Sequence, residues 1–214
     1  MSEVDERAVA MLSDLPWPPG QSPYGIKGVA YRGHLEYCER FVPGGNAAVL
    51  AALGRPDLDA FFAQAFLAST RYDVFPLALI GLGAARVTGV GFLDFVRERS
   101  RWQANEDVHG VYRWLLRLTS PEMIAARLPR LIAQYFDFGD ATIDVIEKGH
   151  LRTIRRGLPR PLAEWYAAVS MSYLEVLIGL AGGQGVRCTT GEITLEGRGH
   201  GIDVVSMEME AWWA

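Results

Sequence analysis

Histidine and cysteine side chains, the usual metal ligands and nucleophiles, are few and scattered in this sequence. It has two cysteines, Cys38 and Cys188, and four histidines, and none of them lies in a CxxC pair or a zinc-type spacing. The GxSxG turn of a serine hydrolase and the GxxxxGK[ST] loop that binds phosphates are also missing from the sequence. We therefore expect a protein that is not an enzyme, with no catalytic residue, no metal site and no cofactor.

Aromatic and arginine side chains from the middle of the chain onward are better candidates for a binding site. An apolar cavity with a few polar groups is the usual way for a protein to hold a small molecule. The candidate ligand-binding residues are Trp102, His109, Tyr112, Arg113, Tyr135, Arg155 and Trp165. Arg113, beside Tyr112, would supply a polar group, whereas ordinary core packing is the alternative explanation for the aromatic side chains.

The order of helices and strands that carries these residues predicts an α+β fold. Helical periodicity predicts helices over residues 71–83, 90–103, 108–118 and 120–136, with Arg99 on the solvent side of its helix. After Gly139 the pattern changes, and it predicts a hairpin over 141–156, a helix over 161–181 and a hairpin over 186–211. We expect a helical N-terminal half, followed by hairpin, helix and hairpin that form an antiparallel sheet packed on helices.

Length and charge limit the domain organisation and the partners. The 214 residues fit one domain, and we predict a helix and proline-rich linker over 1–23 and a single ligand-binding-like domain over 24–214. The net charge of −4 argues against a nucleic-acid partner. The acidic N-terminus and the absence of an apolar run of roughly 18 residues predict a cytoplasmic protein without a membrane span.

The order hairpin, long helix, hairpin resembles the superfamily that joins heme-nitric-oxide-binding domains, 4-vinyl-reductase domains and TRAPP-type trafficking subunits. More closely, the chain resembles a domain-of-unknown-function family found mostly in myxobacteria. The stretches that carry this closer resemblance are Ile26-Lys27-Gly28, Arg71-Tyr72-Asp73-Val74-Phe75-Pro76, Gly110-Val111-Tyr112-Arg113, Ser120-Pro121-Glu122, Leu128-Pro129-Arg130-Leu131 and Gln134-Tyr135-Phe136-Asp137. The resemblance spans roughly residues 26–212, and it implies the fold and a binding role but no catalytic residues.

The resemblance also raises the question of heme. In heme-nitric-oxide-binding proteins a helical histidine ligates the iron, and a Tyr-x-Ser-x-Arg strand grips the heme propionates. The similar stretches here are Asp107-Val108-His109 and Leu151-Arg152-Thr153-Ile154-Arg155. Only Arg155 fits the second pattern, because the Tyr and the Ser are replaced, and His109 lies one helix too early by element count. We therefore predict that the isolated protein carries no heme.

These observations predict a non-enzymatic module that senses a small molecule or regulates by binding one. A protein-interaction scaffold similar to TRAPP-type subunits and a heme-based gas sensor are the alternatives. The partners we expect are a small apolar ligand, another protein, or a second copy of the chain. A homodimer would form on the N-terminal helices that carry Phe61, Phe62, Phe66, Phe92 and Phe95.

Overall fold

A computed structural model describes residues 3–108 and 120–214 of the chain. Helices make up its N-terminal half, and the larger of two sheets lies in the C-terminal part. The described α-helices are α1 (Glu3–Ser13), α2 (Gly28–Phe41), α3 (Gly45–Leu53), α4 (Pro56–Phe62), α5 (Phe75–Thr88), α6 (Phe92–Asp107), α7 (Pro121–Ala125), α8 (Leu128–Tyr135) and α9 (Ala163–Leu180). A short 3-10 helix, Arg160–Leu162, leads into α9. The predicted α+β class is thereby confirmed.

Two antiparallel sheets complete the fold. The small one pairs β1 (Gly25–Lys27) with β2 (Arg71–Asp73). The strands of the large sheet are β3 (Asp140–Glu147), β4 (His150–Pro159), β5 (Arg187–Gly199) and β6 (Ile202–Trp212), in the order β3-β4-β6-β5. Helix α9 joins the two hairpins and packs against α6 and the sheet. Both predicted hairpins and the helix between them are confirmed.

Tight turns explain why these two segments fold as hairpins. Gly149 has a φ of 76° between β3 and β4, while His200 and Gly201 have φ values of 53° and 88° between β5 and β6. Positive φ at the turn residues matches the right-handed twist of the flanking strands. Glycine adopts that conformation without a steric penalty.

The inner face of the large sheet closes the main core. Along β6, Val205, Met207, Met209 and Ala211 are buried and alternate with partly exposed residues. On β4 the same alternation buries residues 151, 153 and 155. Since successive side chains of a strand point to opposite faces, these residues face the helices.

Two of the helix predictions are wrong in their bounds. The single helix predicted over 120–136 is α7 and α8, because Pro129 has no amide N–H and its ring would meet the carbonyl of Ala125. Residues 71–73 are strand β2, and the helix begins at Phe75, whose amide donates to Asp73 Oδ1 at 3.0 Å. The helix predicted over 108–118 lies, apart from Val108, outside the described residues.

The N-terminal segment packs on the rest of the chain. Ala8 and Leu12 of α1 lie in the main core, and Trp17 stacks on Phe75 with ring centroids 5.8 Å apart. The backbone amide of Gly20 donates to Asp73 at 2.9 Å. Residues 16–23 are therefore held against the domain, and the predicted division at residue 23 stays a prediction.

The phenylalanines that motivated a homodimer pack inside the chain. Phe92 and Phe95 are buried, and Phe66 stacks on Tyr31 with ring centroids 4.3 Å apart. Phe61 and Phe62 are partly buried against the same tyrosine. Most of the aromatic surface on which the predicted homodimer rested is therefore buried within the chain. The homodimer stays a prediction, but this surface no longer supports it.

Length and apolar composition determine whether a helix can cross a bilayer. No single helix among residues 3–108 and 120–214 is long and apolar enough to cross a bilayer. Helices α5 and α6 together are long and apolar enough, but the chain bends by 107° between them.

Candidate functional site

A cavity of about 620 Å³ lies between the helices and the inner face of the large sheet. That volume is within the range of pockets that hold a whole small molecule. Helices α6, α7, α8 and α9 and strands β4 and β6 all contribute to its wall. The apolar part of the wall includes Ile124, Leu128, Leu131, Ile132, Trp165, Val169, Leu174, Leu177 and Met209. The cavity is therefore mainly apolar, and its few polar groups determine what can bind.

Arg155 is a buried charged group in the described part of this wall. It points inward from β4 and is 2% exposed, and its Nε and Nη1 atoms have no hydrogen-bond partner among the described residues. The guanidinium lies 5.9 Å from the ring centroid of Tyr166. Burial lowers the pKa of Arg155, and the nearby Tyr166 and the exposed Asp140 offset part of that effect. An anion in the cavity would relieve this burial cost.

Two hydroxyl groups share the cavity wall with Arg155. Thr153 is buried and lies two residues before Arg155 on β4, so its side chain faces the same side of the sheet. Ser170 faces the cavity from α9. The Thr153 hydroxyl can donate a hydrogen bond, so the part of the wall next to Arg155 is suited to an oxygen acceptor.

A second polar cluster lies at the end of α6. The hydroxyls of Tyr135 and Tyr173 donate to Asp107 Oδ2 at 3.1 and 2.9 Å, and Gln103 Nε2 donates to Asp107 Oδ1 at 2.6 Å. Burial, followed by the nearby Asp107 carboxylate, raises the pKa of both tyrosines. Both phenols therefore remain protonated and serve as donors to Asp107.

Arg99 extends this cluster into the cavity. It is 5% exposed, and its Nη2 donates to the Ala30 carbonyl and to Gln103 Oε1, both at 3.1 Å. Its Nε has no partner among the described residues. Burial lowers the pKa of Arg99, whereas the nearby Tyr173 and then the Asp107 carboxylate act in the opposite direction. Arg99 is thus linked through Gln103 to a carboxylate, unlike Arg155.

The structure brings together three of the seven candidate residues. Tyr135, Arg155 and Trp165 line the cavity. Trp102 does not; its ring packs against Tyr37 and Phe41, with centroids 5.3 and 5.9 Å away. The remaining candidates, which lie outside the described residues, are His109, Tyr112 and Arg113.

The sequence analysis missed Arg99, Asp107, Thr153 and Tyr173 as cavity residues. The placement of Arg99 on the solvent side of its helix is wrong, since it is buried. A signal was available, because Arg99 follows the buried Phe92, Phe95 and Val96 at helical spacing and therefore lies on their stripe. Gln103 continues this stripe one turn later.

Comparison with known proteins yields matches among solved structures. No family model and no curated protein matches the chain. The Fe(II) unliganded H-NOX protein from K. algicida is 14% identical, with a TM-score of 0.56 over 88% of this chain and 97% of that one. An oxygen-binding H-NOX domain related to soluble guanylate cyclases is 10% identical, with a TM-score of 0.60 over 88% and 95%. An H-NOX variant from T. Tengcongensis is 11% identical, with a TM-score of 0.51 over 88% and 97%.

At these identities the likeness shows the fold. The chain is an α+β protein with the fold of H-NOX domains, folded around a mainly apolar cavity that contains two buried arginines. The fold implied by the resemblance to heme-nitric-oxide-binding domains is confirmed. The closer resemblance to a myxobacterial family and the TRAPP-type alternative stay predictions.

Proposed function

We propose that this chain is a sensor module, in which one ligand with an anionic group binds in the cavity between α6, α9 and the large sheet. The buried guanidinium of Arg155, without a hydrogen-bond partner at Nε and Nη1, is the observation that carries the proposal. A buried charge is costly unless an opposite charge is paired with it. A ligand anion is the simplest source of that charge, because no carboxylate of the described residues bonds to Arg155.

A heme-based gas sensor is the specific form of this function that the solved neighbours favour. Those neighbours include an Fe(II) H-NOX protein and an H-NOX domain in complex with oxygen, and another bears on heme redox potential and porphyrin distortion. They support this form more strongly than they support an unspecified apolar ligand.

The described residues fit one part of a heme and not the other. Arg155, with the Thr153 hydroxyl beside it, would hold a propionate. For the iron, the described wall offers no histidine and no cysteine, and helices α7 and α8 contain neither residue type. Met209 is the one described thioether in the wall. His109 is the candidate axial ligand in the sequence, and it lies outside the described residues.

Binding in the cavity can be tested with an apolar anionic dye, anilinonaphthalene sulfonate. We expect one dye molecule to bind per chain and to quench tryptophan emission, since Trp165 lines the cavity. Arg155→Met should weaken binding at least about tenfold, the scale of one lost charge-assisted hydrogen bond. Arg156→Met is the matched control, because Arg156 is the next residue on β4 and is exposed. Equal binding by both variants would contradict the proposal.

Titration with hemin then tests the gas-sensor form. A Soret band at one heme per chain, abolished by His109→Ala and weakened by Arg155→Met, would establish that form. Hemin that neither displaces the dye nor gives such a band would exclude it, while the sensor function would remain supported by the dye experiment.

A further inference from the structure

We infer that the ligand of this cavity is a metal-free monocarboxylic acid with an apolar body, whose carboxylate pairs with Arg155. The inference rests on the proposed function, and it names the chemical class of the ligand. Three features of the described residues carry it: the charge at Arg155, the Asp107 carboxylate that Gln103 links to Arg99 and the composition of the wall.

The charge at Arg155 calls for one carboxylate. No ion pair joins Arg155 to another described residue; its Nε and Nη1 atoms are buried without a hydrogen-bond partner, and the side chain lines the cavity. A neutral oxygen would fill a hydrogen-bond position and leave the charge uncompensated. A carboxylate would fill that position and would also compensate the charge. Hydrogen bonds between a guanidinium and a carboxylate are roughly twice as strong as hydrogen bonds between neutral groups.

Arg99 does not call for a second carboxylate. Gln103 joins its guanidinium to Asp107, whose negative charge is held in place by Tyr135 and Tyr173. Another anion here would lie near the Asp107 carboxylate, an exposed group whose repulsion solvent reduces but does not remove. One uncompensated cation therefore matches a monoanion, whereas a heme carries two carboxylates.

The wall favours an apolar body of moderate size. The side chains that α7 and α8 present to the cavity include Ile124, Leu128, Leu131 and Ile132, which offer contact surface but no ligand for a metal. If each non-hydrogen atom occupies about the volume of a liquid water, ~30 Å³, the cavity accommodates on the order of 20 atoms. Dodecanoate, which has 14 non-hydrogen atoms, fits within this volume, and so does an aromatic acid with a short chain.

The experiment compares dodecanoate with dodecanol, which has the same chain and a neutral head group. Calorimetric titration of the full chain, refolded to remove any co-purified molecule, should show dodecanoate binding at least about tenfold more tightly than dodecanol. Arg155→Met should abolish this preference, and Arg155→Lys, which keeps the positive charge, should retain part of it. Arg156→Met should leave it unchanged, and near-ultraviolet circular dichroism establishes that each variant is folded.

The possible results separate this inference from the proposed function. Equal affinity for dodecanoate and dodecanol would overturn the carboxylate but leave a ligand-binding cavity. One heme per chain, bound through His109 and displacing dodecanoate, would overturn the metal-free ligand and leave the sensor function. If dodecanoate, dodecanol, hemin and the dye all fail to bind, the inference and the proposed function both fail.

Discussion

In the ligand-free protein, Arg155→Met should increase stability, although it removes the group to which the ligand is proposed to bind. The guanidinium is 2% exposed and has two nitrogen atoms without a partner, so folding removes its hydration and returns no ion pair. Methionine has a similar reach, carries no charge and packs well in irregular cores. The substitution removes the cost of burying an unpaired charge and keeps most of the packing.

The size of the expected stability gain depends on the groups that lie near the Arg155 guanidinium. Replacement of buried ionic groups by apolar residues of similar volume often stabilises proteins by 1–4 kcal/mol. The contact with the Tyr166 ring and the nearby Asp140 lower the cost of burying Arg155, so we expect a gain of about 1–2 kcal/mol. For a chain of this size that gain corresponds to a melting temperature higher by about 2–8 °C.

The pH dependence of this gain has a definite form. Burial lowers the pKa of Arg155, so the charged form disfavours the folded state at every pH below that lowered value. An arginine remains charged throughout the range in which proteins are normally studied. The stability difference between Arg155→Met and the unchanged protein should therefore be flat from about pH 6 to pH 9.

Urea denaturation of the refolded proteins measures this difference directly. Arg156→Met, on the exposed face of the same strand, should change the free energy of unfolding by no more than about 0.5 kcal/mol. If Arg155→Met were instead less stable than the unchanged protein by about 1 kcal/mol or more, Arg155 would have a partner that stabilises the fold. The argument for a ligand anion would then be refuted.

Other consequences of the structure can be measured independently. Gly28→Ala should lower stability by several kcal/mol, because its Cβ would clash with the backbone carbonyl oxygen of Leu67. Gly179→Ala in helix α9, where the Cβ would meet nothing within 4 Å, should raise the melting temperature through a gain of about 0.5–1 kcal/mol. Burial raises the pKa of the Cys38 and Cys188 thiols to about 12, so both should react slowly with a disulfide reagent at about pH 8. Rapid reaction of both thiols in the folded protein would contradict that burial, whereas urea should make both reactive.

The hairpins could be predicted from the sequence because local signals agree with the tertiary fold. Buried and more exposed side chains alternate along β4 and β6, and glycines with positive φ lie at the turns. The break between α7 and α8 was missed although Pro129 marks it, because the apolar periodicity continues across the proline. The strand at residues 71–73 was missed because it has three residues, and its partner β1 is distant in sequence.

The site was less predictable than the fold, because its polar residues come from distant segments. Arg155 was found through a family resemblance, whereas Thr153 on the same strand was treated only as a replaced serine, although its hydroxyl is in the wall. Arg99 was assigned to solvent from its charge alone, against the helical spacing that buries it. Trp102 was chosen for its residue type, and it packs on α2 instead.

Occupancy of such a site would be coupled to the stability of the chain. Without a ligand, the fold carries a buried charge at Arg155 that has no ion-pair partner among the described residues; a bound carboxylate would relieve that cost. By mass action alone, a ligand at about 100 times its Kd stabilises the folded state by about 2.7 kcal/mol. Helices α7 and α8, of five and eight residues, form part of the cavity wall, and helices this short depend on tertiary packing. The ligand would therefore change the stability of these two helices more than that of the long helix α9, and a bound molecule could be sensed in this way without any reaction.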